Sequence, residues 1–299
     1  MPKDHLVAVL PRLESELGSL TGEPVALGGG ITNHNLRMCL GGADVVVRLC
    51  AEGVDILGID RSVEDVATRR AATLGIGPEV VAYYPELQVL VTRWVEGGEV
   101  PAAELREPGV LARIAGALRT FHAGPSLGKA FDVVTLARRQ VAAARDPDPR
   151  LTQAIQLGAR IDAALTGDEH TRVPCHNDLL GANFVGTGDG LRIVDWEYAG
   201  MNDRYFDLAN FSVNNELSED DDRVLLGAYF GTVDDRRFAA LRLTRVLSDL
   251  REAAWGAVQD GRSQLDFDYA AYSREHADRL ERSAADPRLQ DWLDLAASA

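Results

Sequence analysis

The stretch that decides the fold is His176-Asn177-Asp178-Leu179-Leu180-Gly181-Ala182-Asn183, followed by Ile193-Val194-Asp195-Trp196-Glu197. An Asp, an Asn five residues later and a second Asp 17 residues after the first form a spaced set of hard oxygen donors. Between the motifs lie two short apolar pieces, around Phe184-Val185 and Leu191 to Val194, separated by Gly186 to Gly190. That pattern predicts a hairpin, and a loop joining short strands can bring all three polar side chains to one point. Phosphoryl transfer from a nucleotide needs such a set. A carboxylate must orient or deprotonate the acceptor hydroxyl, and anionic or amide oxygens must hold magnesium. Asp178 is then the acceptor's carboxylate, with Asn183 and Asp195 as metal ligands. Turn chemistry at His-Asn-Asp and a strand-end Asp would explain either motif alone, but the two in order and at this spacing favour a site.

Outward from this stretch the chain divides. Residues 24 to 50, PVALGGGITNHNLRMCLGGADVVVRLC, carry a β-branched run at Val45-Val46-Val47 and glycine turns at Gly28 to Gly30 and Gly41-Gly42, which predicts three antiparallel strands. A helix is expected over 61 to 74, stopped by Gly75, and two strands over 79 to 84 and 88 to 95 with Pro85 between them. Ahead of all this, Leu6, Val9, Leu10, Leu13 and Leu17 have helical spacing. After Gly97-Gly98 the periodicity becomes helical, over 109 to 122, 151 to 165, 219 to 230, 236 to 259 and 268 to 282. The expected fold class is α+β and bilobal. A small antiparallel-sheet lobe over 1–96 binds nucleotide, and a larger, mostly helical lobe over 97–299 carries catalysis and the acceptor.

Composition narrows the function. The 299 residues hold 46 acidic and 31 basic side chains, a formal charge of -15, which excludes a phosphate-backbone binder. The apolar stretch Leu6 to Leu10 is too short for a signal peptide or a membrane span, so no membrane insertion is expected. Cys39, Cys50 and Cys175 form no C-x-x-C pair, which argues for reduced thiols and a cytoplasmic protein. Histidines 5, 34, 122, 170 and 276 are given no catalytic role, and His176 is expected to brace its loop.

The paired motifs resemble the catalytic and metal-binding loops of the protein-kinase-like phosphotransferases of small molecules, the aminoglycoside phosphotransferase and choline/ethanolamine kinase superfamily. Asn177 stands where protein kinases usually have Arg, and Asp195-Trp196-Glu197-Tyr198 is similar to the Asp-Phe-Glu-Tyr of choline and ethanolamine kinases. Gly29-Gly30-Ile31-Thr32-Asn33 resembles their nucleotide loop, where Gly29, Gly30, Thr32 and Asn33 would bind phosphates. Arg48, in Val46-Val47-Arg48-Leu49, would replace the protein-kinase Lys, with Glu64 on the next helix as its partner. The backbone of Arg93 to Val95 would hold adenine. The resemblance, which spans about residues 20 to 282, implies an ATP- and Mg2+-dependent kinase and is compatible with a homodimer.

On the acceptor side, Tyr198 to Glu216 resembles the segment after the metal-binding Asp in bacterial LicA-type choline kinases, with Arg204, Asp207 and Glu197 as structural support. Trp255 and Tyr272 fall where such enzymes build an aromatic cage for quaternary ammonium, chemistry suited to a cation without donors. Two departures stand out. Glu252 occupies the place of a second Trp, and Asn214 the place of a cage Glu. Choline, ethanolamine or a related amino alcohol is the leading acceptor. A thiamine or amino-sugar kinase, and a nucleotide-binding pseudokinase scaffold, are the alternatives. The acidic run Glu216 to Asp222 is expected to cap a helix behind Ser218.

Overall fold

The computed structural model describes residues 3–28, 32–51, 53–263 and 265–298. Helix α1 (Lys3–Leu17) is followed by strands β1 (Leu20–Ala26), β2 (His34–Leu40) and β3 (Ala43–Leu49), helix α2 (Arg61–Thr73), and strands β4 (Val80–Tyr84) and β5 (Val89–Arg93). The five strands form one antiparallel sheet in the order β1-β2-β3-β5-β4. Gly41 and Gly42, at φ 58° and 81°, make the tight turn that joins β2 to β3 in the register Leu40↔Ala43. Alternation on β2 and β3 buries Leu36, Met38, Val45 and Val47 against Val9 and Leu13 of α1, the small lobe's own core.

The large lobe is helical: α3 (Ala102–Leu105), α4 (Pro108–His122), α5 (Val133–Ala143), α6 (Arg150–Ala164), α7 (Arg204–Asn214), α8 (Glu219–Phe230), α9 (Asp235–Gln259), α10 (Tyr269–Ala284) and α11 (Leu289–Ala297). Short strands interrupt it: β6 (Gly98–Glu99), β7 (Arg172–Cys175), β8 (Phe184–Thr187), β9 (Gly190–Ile193) and β10 (Gly200–Asp203). The expected hairpin is β8-β9. The pairing of β10 with β7 was not anticipated, because two four-residue strands 25 positions apart leave no local signal. Helices α5, α7 and α11 were not anticipated either. Every residue of α7 from Tyr205 to Val213 is buried, the polar Asp207, Asn210 and Ser212 included, so no solvent-facing side marks it as a surface helix. The cap at Ser218 is as expected: its hydroxyl accepts from Asp221 N–H while the Asp221 carboxylate accepts from Ser218 N–H.

Two connections place the site between the lobes. Strand β6 pairs with β8 at Gly98↔Gly186, and Val100 N–H donates to Phe184 O at 3.0 Å. Ile193 N–H donates to Ile76 O at 2.7 Å, tying the same hairpin to the small lobe. The approach at β6 is very close, since a Cβ on Gly97 would lie 2.0 Å from Gly186 O. Gly97→Ala is therefore expected to lower Tm by about 5 °C or more, because backbone must shift to relieve the overlap. A thermal melt with no change would show that the junction is looser than drawn.

Candidate functional site

The catalytic loop is held by buried polar groups of α7. Asp207 accepts from His176 N–H at 2.8 Å and Asn177 N–H at 2.7 Å, and its Oδ2 lies 3.0 Å from His122 Nε2. Asn177 sits at φ 67°, a left-handed conformation unusual outside glycine, and these bonds hold it there. Its amide donates to Tyr198 O and accepts from Asn202. Asn210 accepts from Leu179 N–H and Asn215 donates to Leu179 O. Burial opposes ionisation of Asp207, but His122, His176 and the loop N–H groups outweigh it and hold the carboxyl below its usual range. The brace expected of His176 is seen in detail: Nδ1 accepts from Asp178 N–H at 3.2 Å and Nε2 donates to Val194 O at 3.0 Å. Burial lowers its pKa and keeps the imidazole neutral.

This loop brings Asp178, Asn183 and Asp195 together. Asn183 Nδ2 donates to Asp178 O at 2.8 Å, leaving Oδ1 as a ligand oxygen. Asp195 sits at φ 64°, and its buried Oδ1 accepts no hydrogen bond although Arg48 Nη1 lies 2.7 Å away. An orphaned carboxylate oxygen beside a free amide oxygen is a donor set that fits Mg2+. Burial lifts the Asp178 carboxyl well above its usual range; Arg251 opposes this, while Glu252, Asp195 and Glu197 add to it.

Above the loop, Arg48 donates to Glu64 Oε1 at 2.6 Å and to Asn35 Oδ1 at 3.2 Å. Burial works against its charge, but Asp195, Glu64 and Glu197 prevail and keep it protonated. The cleft beneath β3 and β5 has a volume of ≈ 330 Å³ and is lined by Val46, Arg48, Leu90, Val95, Asn183 and Asp195, among others. Gly29 and Gly30 lie outside the described residues. Thr32 and Asn33 differ from expectation: the Thr32 hydroxyl is engaged by Tyr198, and Asn33 donates to Glu197 at 2.7 Å and accepts from Arg61 at 2.8 Å. Both side chains are thus engaged by partners within the protein. Arg93 N–H and Trp94 N–H are spent on Glu79 O and Asp44 O, so these two donors are not free for adenine, though Arg93 and Val95 do line the cleft.

The acceptor side departs further. Trp255 is 2% exposed and its Nε1 donates to Tyr198 Oη at 2.7 Å. Glu252 accepts from Arg251 at 2.6 Å and from Tyr272 at 2.9 Å. Asn214 is taken by Arg279 of α10 at 2.9 Å, two helical turns from Tyr272, and so stands apart from Asp178. Arg204 makes no brace to the loop through Nε, which is buried without a partner. Residues of the site that were given no role from the sequence include Arg61, Tyr198, Asn210, Asn215 and Arg251. Arg61 donates to both Glu64 and Glu197. Arg251 donates to Asp178 and Glu252. Charged residues within the apolar run of α9 were the available signal for Arg251.

Asp207→Asn should reduce stability by about 2–4 kcal/mol, since an amide cannot accept at both oxygens. A depressed native pKa stabilises above the unfolded carboxyl's titration, and that gain is lost as pH falls through the native value. The gap between wild type and variant should thus be full near about pH 7 and close in acid, as read from urea midpoints. A gap independent of pH would contradict this account.

The profile of the choline/ethanolamine kinase family matches residues 25–223. Protein LicA of Haemophilus influenzae is 24% identical over 265 residues, covering 84% of this chain and 78% of LicA. Ethanolamine kinase 2 of Rattus norvegicus is 26% identical over 283 residues, covering 82% and 71%. Among solved structures, a choline/ethanolamine kinase family protein from Mesorhizobium loti superposes over 100% of both chains with TM-score 0.84 and 27% identity. Choline kinase LicA from Streptococcus pneumoniae shares the fold at TM-score 0.80 and 20% identity, covering 94% and 99%. A LicA complex with AMP gives 0.75 at 19% identity, covering 96% and 98%. Aminoglycoside 2'-phosphotransferase-IIIa is more distant, at TM-score 0.67 and 17% identity over 96% and 99%. The chain belongs to the choline/ethanolamine kinase family, phosphotransferases that use ATP and an alcohol acceptor.

Proposed function

We propose that this chain transfers the γ-phosphoryl group of ATP to the hydroxyl of a small amino alcohol such as ethanolamine or choline, with the site residues in the following roles. Asp178 orients the acceptor hydroxyl and takes its proton. The acceptor oxygen bonds to the γ-phosphorus as the bond to the β–γ bridging oxygen breaks, giving a phosphomonoester and ADP. Arg48, held by Glu64, cradles phosphate oxygens from the small lobe. Asn183 and Asp195 hold magnesium, which supplies charge neutralisation across the phosphates when bound. Because the transition state is loose, positioning and electrostatics carry most of the catalysis.

The observation that carries this reading is that Arg48, Glu64, Asn183 and Asp195 line one cleft, with Asn183 bonded to the main chain of Asp178. In this reading residues 1–96 are the nucleotide-binding lobe and residues 97–299 the catalytic and acceptor lobe. Cytoplasmic residence is supported by the free thiols Cys39, Cys50 and Cys175; among the described residues no helix is long and apolar enough to cross a membrane.

Asp178→Ala is expected to cut turnover by about 10³-fold or more in an ADP-release assay, while ATP affinity stays within about threefold. Turnover close to wild type would refute the assignment of Asp178.

A further inference from the structure

The acceptor end of the site already contains a cation. Arg251 is 3% exposed, and its guanidinium carbon lies 4.1 Å from the centroid of the Tyr198 ring. Its Nη1 donates to Glu252 Oε2 at 2.6 Å and Asp178 Oδ1 at 3.1 Å. A ring face flanked by two carboxylates is the surrounding that would hold a quaternary ammonium. Here the chain's own guanidinium fills it. The neighbouring rings are committed as well. Trp255 is bonded to Tyr198 and packs at 5.7 Å and 5.6 Å from the Tyr269 and Tyr272 centroids, while the Tyr272 hydroxyl is spent on Glu252.

Resting on the amino-alcohol reading above, we propose that Arg251 determines acceptor specificity, making the head group of the acceptor a primary ammonium and excluding a trimethylammonium. The argument is one of donors and faces. A primary ammonium has three N–H donors and needs oxygen acceptors. Glu252 Oε1 offers one, being held only by a 3.3 Å bond from Asn210. A trimethylammonium has no donor and depends on ring faces, and Arg251 covers that of Tyr198. Arg251 Nη2 is buried without a partner, a donor left for an oxygen of the bound acceptor or of the group being transferred.

The test is an acceptor series of ethanolamine, its N-methyl and N,N-dimethyl derivatives, and choline, run with ATP and Mg2+ on wild type and Arg251→Met. Wild-type kcat/KM should fall with each methyl and be at least about tenfold lower for choline than for ethanolamine. Arg251→Met should narrow that gap about tenfold or more, chiefly through the KM for choline. Wild type that uses choline as well as ethanolamine overturns the proposal and leaves the kinase reading standing, and this arm does not depend on the variant folding. A uniform loss across all four acceptors in Arg251→Met also overturns it, because a purely structural arginine would behave that way. No turnover with any of the four, with ATP binding intact, overturns the amino-alcohol reading and this proposal with it.

Discussion

The structure depends on a buried chain of charges that crosses the two lobes. Arg61 reaches Glu64 at 2.7 Å and Glu197 at 2.9 Å, and Arg48 joins Glu64 to Asp195. Removing five ionised groups from water is costly unless their geometry is nearly complete. Within this network two buried atoms are left without a hydrogen-bond partner, Arg61 Nε and the Asp195 Oδ1 that lies 2.7 Å from Arg48. Three carboxylates face two guanidinium groups, so the network is also one positive charge short. The missing partner is at the place where a nucleotide-bound cation would add both charge and ligands. The same groups therefore hold the small lobe on the large one and shape the proposed metal site. Asn33 belongs to this network as its neutral member, which is why it is anchored to Glu197 and Arg61.

Beneath that network a second set of buried polar groups controls backbone shape. A loop carrying a catalytic carboxylate has N–H groups that neither helix nor sheet satisfies, and buried ones must find partners. Helix α7 provides them on successive turns through Asp207 and Asn210, and Asn215, which caps its end, donates to the Leu179 carbonyl. The left-handed Asn177 lies between the two bonds to Asp207, so loop shape follows from where α7 packs. Helix α9 in turn positions α7, with Ser248 and Glu252 both bonded to Asn210.

The two-lobe plan, the sheet and the hairpin between the paired motifs were legible in the sequence because their signals are local. β-Branched runs, paired glycines and fixed spacing between oxygen donors do not require knowledge of burial. Arg48 and Glu64 were legible through the resemblance, and the structure joins them directly. What escaped was decided by burial. Helix α7 buries its polar side chains together with its apolar ones, so no solvent-facing stripe marks it. Thr32 and Asn33 have the chemistry of phosphate donors, and only packing shows their hydrogen bonds already used. Asn214 and Asn215 are adjacent and chemically identical. Helical rotation alone sends one to Arg279 and the other to the catalytic loop.

Arg251 shows how far a positional match can mislead about chemistry. Trp255 and Tyr272 stand at the spacing of an aromatic cage, yet a cage works only if its faces are open to the ligand. The Glu at position 252 brings a carboxylate into the interior, and a buried carboxylate requires a cation nearby. Its sequence neighbour Arg251 meets that need and, in doing so, covers the ring of Tyr198. The buried Glu252 thus keeps Arg251 beside it, and together they make a surface that sorts cations by hydrogen-bond donors and not by ring faces alone. The formal charge of -15 has no part in that selection. At the acceptor end two carboxylates and one guanidinium determine which cation fits, and the rest of the acidic surface lies too far off to discriminate a methyl from a proton.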